Sequence, residues 1–290
     1  MSTTEQSYLV GLIGEGVEPS LSPPLHEAAA DAHGLRYLYR PVDLLTLGRD
    51  ASAVGDLLRA GRDLGFNAFN ITHPCKQVVI DQLDSVSDHA RRLGAVNTVL
   101  IREGRFHGEN TDFSGFGFAL RTGLPGAALG SVVQLGAGGA GSAVAYALLD
   151  AGAAHLALVD TDAARCADRA TALAGHFPDA AVTAHSPDEV PALLAAADGL
   201  VNATPIGMHQ HPGLPLDTAA LEARHWVADV IYRPVDTELI RTAAARGCRT
   251  LDGGYMAVGQ AVGAFAHITG IEPDAEAMRA HFLDMIGRGL

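Results

Sequence analysis

The run Gly136-Ala-Gly138-Gly139-Ala140-Gly141 has the residue types and spacing that point most directly to chemistry. A GxGxxG run between a strand and a helix turns tightly at its first glycine. Its second lets the backbone approach a pyrophosphate, and its third packs helix against strand. The helix N-terminus then offers N–H groups to phosphate oxygens. GxGxxG alone is a weak signal, because alanine- and glycine-rich helices produce it by chance. Here Asp160 follows nineteen residues after Gly141, at the end of the apolar run His155-Leu-Ala-Leu-Val-Asp160. A carboxylate at that place accepts from a ribose 2′-OH. The plain alternative, a tight turn and a helix-capping aspartate, leaves this spacing unexplained. A dinucleotide is the ligand expected. Asp160 and Asp162 would repel a 2′-phosphate, and Arg165, which could bind one, has both acids beside it. NAD is therefore the expected cofactor.

A nicotinamide dinucleotide exchanges a hydride, so a group must also handle the alcohol proton near the reacting carbon. Polar segments occur where a fold by itself needs none. Asn70-Ile-Thr72-His73-Pro-Cys-Lys76 follows a strand-like run and carries Thr72 and Lys76 past its C-terminal end, the edge where α/β sheets collect ligands. Gly94-Ala-Val-Asn97-Thr98 and Gly108-Glu-Asn110-Thr111-Asp112 add amide and carboxylate groups. Lys76 and Asp112 are the best-placed charged pair. A neighbouring carboxylate favours a charged lysine, which would hydrogen-bond the substrate oxygen and pass its proton onward; a surface ion pair is the alternative. Ser20 and Ser22, read as alternate residues of an extended stretch, share a face and would present two hydroxyls to a ligand, or else cap a helix. Asn97 either contacts a ligand or satisfies buried backbone. Tyr232 either reaches a ligand or packs, and His26 and His73 shape the site rather than react.

The elements that must hold these groups alternate. Tyr8–Gly14, Tyr37–Val42 and Gly65–Ile71 read as strands, with helices at Leu25–Gly34, after Pro23 and Pro24, and at Val54–Gly61. A new series begins near Thr111. Ser131–Leu135, His155–Asp160, Gly199–Thr204, Trp226–Ile231 and Arg249–Asp252 read as strands, with helices after Gly141 and at Ala163–Ala174, Thr237–Gly247, Met256–Thr269 and Pro273–Ile286. This is the pattern of two α/β domains with mainly parallel sheets, the second of Rossmann type and doubly wound. With no flexible linker in between, the two domains are expected to face each other across a cleft.

Composition narrows the partners. The 290 residues are 48% hydrophobic and 18% charged, enough for a core, and the formal net charge is −13. Such a surface repels nucleic acid and anionic lipid, so an anionic substrate needs a local positive group. Cys75, Cys166 and Cys248 show no metal-ligand spacing, and the 13 histidines fall in no ligand pattern, so no metal is expected. No apolar run is long enough to span a membrane, and Met1–Ser7 lacks a basic leader, which fits a cytoplasmic protein. Monomer and homodimer both suit the sequence.

Beyond these readings, six motifs in order resemble the shikimate dehydrogenase family along nearly the whole chain. They are SLSP (Ser20–Pro23), NITxPxK (Asn70–Lys76), GAVNT (Gly94–Thr98), GxNTD (Gly108–Asp112), GAGGAG (Gly136–Gly141) and NATPxGM (Asn202–Met208), with a late Asp-Gly and Gln260. Within the family, NITHPCKQ and the acidic VDTD resemble the NAD-using quinate/shikimate dehydrogenases of actinobacterial type. The resemblance implies reversible oxidation of a ring hydroxyl of shikimate or quinate to the 3-dehydro ketone. That chemistry serves aromatic amino-acid biosynthesis or quinate catabolism. It implies a substrate domain of residues 1–110 plus 255–290 and an NAD domain of 111–254. It assigns catalysis to Lys76 and Asp112. Ser20, Ser22, Thr72, Asn97, Gln260 and Tyr232 would hold a cyclic hydroxy acid. The cofactor would meet Gly136, Gly138, Gly139, Ala140, Gly141, Asp160, Asp162 and Arg165, and at its nicotinamide end Thr204, Ile206, Met208, Gly253 and Met256. Pro19 before Ser20, Glu27 and Gly253-Gly-Tyr-Met256 depart from the family's pattern. An aminoshikimate-type dehydrogenase is the neighbouring reading. A non-catalytic quinate or shikimate sensor is the reading from another class, and intact Lys76, Asp112 and glycine turn speak against it.

Overall fold

The computed structural model describes residues 7–290, so the leader reading of Met1–Gln6 falls outside the described residues. The chain divides into two compact units. One comprises residues up to Thr111 together with Gln260–Leu290, the other Asp112–Gly259.

The first unit is built on β1 (Ser7–Gly14), α1 (Ser22–Ala32), β2 (Arg36–Asp43), α2 (Leu44–Leu47), α3 (Val54–Asp63), β3 (Ala68–Ile71) and α4 (Cys75–Val78). It continues with β4 (Ser85–Val86), α5 (Asp88–Leu93), β5 (Thr98–Arg102) and β6 (Arg105–Glu109). Its sheet runs β2-β1-β3-β5-β6-β4. β1 pairs in parallel with β2 and β3, but β5 runs antiparallel to both β3 and β6, so the sheet is mixed. Sequence reading passed over the β5–β6 hairpin because its turn is Glu103-Gly104, with φ of 51° and 74°, instead of the Asn-Gly or Asp-Gly that announces such turns. One face buries Ile13, Leu58, Phe69, Ile71, Cys75 and Val99. On the same unit His26, Tyr37, Tyr39 and Phe265 form an aromatic cluster.

Pro23 and Pro24 lie inside the first turn of α1 rather than before it. Proline is tolerated there because those N–H groups have no intrahelical partner. Ser20–Ser22 is accordingly not extended: Leu21 has αR dihedrals and Ser22 opens the helix. The shared-face argument for the two serines does not hold.

The second unit contains β7 (Ser131–Leu135), α7 (Gly139–Asp150), β8 (His155–Val159), α8 (Ala163–His176), β9 (Ala181–His185), α9 (Val190–Ala196), β10 (Gly199–Asn202), β11 (Trp226–Asp229), α10 (Glu238–Ala245) and β12 (Arg249–Leu251). All its strands are parallel, in the order β12-β11-β10-β7-β8-β9. That order is the Rossmann arrangement, with the switch point at β7 and the glycine turn directly after it. Val133, Leu135, Val159, Leu194, Leu200 and Val227 fill one side of the sheet. α7 is buried from Gly141 to Leu149, which explains its all-round apolar, alanine-rich sequence.

α6 (Thr111–Gly123) opens at the unit boundary, and α11 (Gly253–Thr269) contains the other, between Gly259 and Gln260; α12 (Ala275–Gly287) closes the chain. The return to the first unit therefore falls within a continuous helix rather than at residue 255. Among the described residues no helix is long and apolar enough to cross a membrane.

Candidate active site

In the second unit the glycine turn is dictated by packing. Gly136 has φ +93°, and a Cβ there would stand 2.7 Å from the Ala203 carbonyl oxygen. A Cβ on Gly141 would collide with the Gly136 carbonyl, so this glycine sets how closely α7 approaches β7. At Gly138 and Gly139 an added Cβ meets no protein atom, leaving the N-terminus of α7, with Ala140 exposed, clear for a phosphate group. Gln134, unread in the sequence, pins the turn: its buried Nε2 donates to the Gly136 and Gly141 carbonyls, both at 2.8 Å.

β8 ends at Val159, and Asp160 follows with a nearly buried side chain. Its carboxylate accepts the Ala137 N–H at 2.7 Å and the Asp162 N–H at 2.9 Å, joining the glycine turn to the acidic loop. Arg165 donates to it from Nη2 at 2.6 Å and Nε at 3.3 Å, and to Asp162 from Nη1 at 3.2 Å. Burial pushes the Asp160 pKa up, but the bonds from Arg165, Asp162 and Ala137 outweigh it and hold the carboxyl below its ordinary value. Asp162 also caps α8 through the Arg165 N–H. Two carboxylates and one guanidinium leave this cluster with one net negative charge. Arg165 is thus tied to both acids, while still 47% exposed.

The segment after β10 is a bonded loop, not a continuation of the strand to Thr204. Asn202, fully buried, accepts the Thr204 N–H at 3.1 Å and hydroxyl at 2.6 Å, and its Nδ2 donates to the Ile206 carbonyl at 3.1 Å. Ile206 is 38% exposed and Met208 half-buried. Behind Asn202 stands Asp229, 2% exposed, which also accepts from Ile231 N–H and the Thr237 hydroxyl. β11 stops at Asp229, so Tyr232 lies in a loop and is 43% exposed. Gly253 opens α11 against Val230 and Ile231, whose carbonyls a Cβ would strike; Met256 lies in the helix's first turn, half-buried.

Burial raises the Asp229 pKa to about 6, against the lowering effect of its donors Ile231, Thr237 and Asn202. A carboxyl with a raised native value binds its proton more tightly in the folded state. Its contribution to stability is full below the ordinary 3.8 and is lost as pH rises through about 6. Asp229→Asn is therefore expected to match or exceed the parent in stability at pH 7.5, by up to about 3 kcal/mol at roughly 1.4 kcal/mol per pKa unit. The difference should shrink as pH falls from 7.5 to 4. Urea unfolding across that range reads both, and a variant clearly weaker at pH 7.5 refutes the assignment.

In the first unit a buried relay ties four of the polar segments together. The Tyr39 phenol donates to Asn70 Oδ1 at 2.7 Å and adjoins the Ser22 hydroxyl. Asn70 Nδ2 donates to Thr98 Oγ1 at 3.0 Å and to the Asn97 carbonyl at 3.3 Å. Asn97, 3% exposed, accepts the Thr111 N–H at 2.8 Å and donates to its hydroxyl at 3.0 Å, so part of its amide serves buried backbone. Ser20 Oγ accepts the Ser22 N–H at 3.2 Å, and Asp43 holds the preceding loop through the Gly16 and Glu18 N–H groups. Thr72 and Lys76 flank the start of α4. Lys76 is half-buried beside the fully buried Cys75, and its carbonyl accepts the Val96 N–H at 2.8 Å. Buried His26 meets Tyr37, and burial drives its pKa down to about 3, which keeps it neutral and structural; His73 is exposed. Gln260 belongs to this unit, and Asp112, Tyr232, Gly253 and Met256 to the other. Sequence reading missed Tyr39, Gln134, Asp229 and Thr237. Each looks like an ordinary strand or cap residue until its partner is known, whether that lies close in the chain, as for Gln134, or far along it, as for Tyr39 and Asp229.

A Rossmann sheet with a phosphate-ready glycine turn, joined to a second α/β unit rich in buried amides and hydroxyls, defines a nucleotide-dependent oxidoreductase. Residues 12–99 match the family described as "Shikimate dehydrogenase substrate binding domain", and residues 132–212 match "Saccharopine dehydrogenase NADP binding domain". The chain is 64% identical to "Shikimate dehydrogenase (NADP(+))" of Arthrobacter sp. (strain FB24), over 99% of this chain and 98% of that protein. It is 50% identical to "Quinate/shikimate dehydrogenase (NAD(+))" of Corynebacterium efficiens, over 96% of this chain and 99% of that one. The solved structure "Quinate dehydrogenase from Corynebacterium glutamicum in complex with NAD" superposes with a TM-score of 0.92 at 48% identity, covering 96% of this chain and 99% of that one. The chain belongs to the shikimate dehydrogenase family.

Proposed function

We propose that this protein is an NAD-dependent dehydrogenase that reversibly oxidises the ring hydroxyl of shikimate, quinate or both to the 3-dehydro ketone. The observation that carries the cofactor choice is the cluster after β8. Asp160, Asp162 and Arg165 together are net negative, and the one cation there is already bonded to both acids. A ribose 2′-OH can donate into that cluster, whereas a 2′-phosphate brings about two more negative charges to it. The clear space at Gly138 and Gly139 fits a pyrophosphate. A bound nicotinamide supplies the hydride acceptor; the chain's own residues do the rest. Lys76 hydrogen-bonds the reacting oxygen and, with Asp112, carries away its proton. Ser20 and Ser22 hold the acid's carboxylate, with Tyr232 at its edge, while Thr72, Asn97 and Gln260 meet ring hydroxyls. Thr204, Ile206, Met208, Gly253 and Met256 enclose the nicotinamide end.

The second reading keeps the reaction and changes the cofactor to NADP, and the relatives at 64% and 63% identity, both named for NADP, favour it. Steady-state kinetics with shikimate, quinate and an aminoshikimate, each with both cofactors, separates the two. NAD is expected to win by at least about tenfold in kcat/KM, or 1.4 kcal/mol. Asp162→Asn keeps a capping oxygen for α8, removes one charge and partly frees Arg165, so it should narrow that preference several-fold without reordering the acids. Equal efficiency with both cofactors in the parent would defeat the charge argument.

A further inference from the structure

We propose that Asp229 is a positioning residue for the nicotinamide end of the cofactor site, acting through Asn202. This rests on the reading above that the Thr204–Met208 loop borders the nicotinamide.

The orientation of the Asn202 amide is unambiguous. Its Oδ1 takes the Thr204 N–H, a group that can only donate, and its Nδ2 faces the Ile206 carbonyl, which can only accept. One side chain thereby templates the backbone two and four residues ahead. Thr204 reinforces the turn, its hydroxyl donating to Asn202 Oδ1 while accepting the Ile206 N–H at 3.2 Å. The second Nδ2 hydrogen goes to Asp229 Oδ1 at 3.1 Å. Asp229 cannot turn aside, because Oδ1 also holds the Ile231 N–H at 3.1 Å and Oδ2 the Thr237 hydroxyl at 2.8 Å. Thr237 is itself fixed as the cap of α10 through the Ile240 N–H. Asn202 and Thr237 are fully buried and Asp229 nearly so, so water does not compete for these bonds.

The path therefore runs from the start of α10 through a buried carboxyl to the loop whose crest is Ile206. A carboxyl in this place is costly to bury. Stability of the sheet does not require the charge, since an amide side chain would still accept the Asn202 and Ile231 N–H groups without burying a carboxylate. What the carboxylate adds is charge-assisted bonds that hold the Asn202 amide, and with it the loop, in one geometry. The adenosine half of the site, built on the glycine turn and Asp160, packs against the start of that loop at Ala203 and Thr204 but shares none of these hydrogen bonds.

The test compares two probes, NADH and ADP-ribose, the second lacking the nicotinamide, by calorimetric titration of the full chain. Asp229→Asn should weaken NADH about fivefold, equivalent to the roughly 1 kcal/mol by which a charge-assisted hydrogen bond exceeds a neutral one, and leave ADP-ribose within twofold. Thr237→Val, which removes the hydroxyl that both holds the carboxylate and caps α10, should shift NADH in the same direction, and Thr237→Ser, which keeps both bonds, should restore it. If both probes weaken equally, or neither changes, Asp229 has no positioning role. Ile206→Ala checks the reading underneath. An unchanged ratio of NADH to ADP-ribose affinity in that variant removes the loop from the nicotinamide and overturns the proposal at its base, independently of Asp229.

Discussion

Lys76→Ala is expected to lower turnover by about 10²-fold or more, the scale of a lost general acid–base group and roughly 2.7 kcal/mol of barrier. The fold should survive, because α4 is seated by groups other than the lysine side chain. Cys75 is fully buried in the core, and the Lys76 backbone carbonyl keeps the Val96 N–H. Cofactor affinity should change by less than about twofold, since the glycine turn and Asp160 belong to the other unit. Steady-state kinetics with calorimetric NADH binding reads both quantities. Turnover within a few-fold of the parent would take Lys76 out of the mechanism. A parallel loss of NADH binding would mean that the substitution disturbed more than proton handling.

Removing the Ser20 and Ser22 hydroxyls together should raise KM for the acid by at least about 10²-fold, with a smaller effect on kcat. Two hydrogen bonds to a charged group contribute about 1.5–3 kcal/mol each. The structure makes the two serines unequal. Ser20 spends an acceptor on the Ser22 N–H, and Ser22 opens α1 beside the Tyr39 phenol. Ser20→Ala alone therefore also removes a bond at the start of α1, and a small fall in melting temperature should accompany its KM effect. A substrate methyl ester should mimic the double variant. If ester and acid react equally well, the serines do not hold a carboxylate.

Much of this protein was legible as a one-dimensional pattern. Short apolar runs marked β1, β7, β8, β10 and β11, the first two closed by glycine, because a buried parallel strand has no polar face to interrupt it. The glycine turn was legible because the positive φ at Gly136 and the close approach of Gly141 to the Gly136 carbonyl are local demands, and Asp160 stands at a fixed distance beyond; the Ala203 carbonyl that also excludes a side chain at Gly136 was not. Asp162 and Arg165 were visible as charges, but not that Arg165 would bond both acids and leave the cluster singly negative. The β5–β6 hairpin escaped because Glu103 at positive φ is not the residue type that signals such a turn.

What only the tertiary structure decided is which polar side chains hold the others. Tyr39 finds Asn70 across 31 residues, Asn202 finds Asp229 across 27, and Asp160 reaches back 23 to the Ala137 N–H. Such pairs have no period and no fixed spacing. Each partner taken singly is an ordinary strand or turn residue, and its role exists only once segments distant in the chain are brought together in a buried place. The sequence by itself determined the chemistry on offer, through short-range steric and charge patterns. The pairing of strands distant in the chain determined the orientation in which that chemistry is presented, because a hydrogen bond in the interior depends on direction and distance that no local pattern encodes.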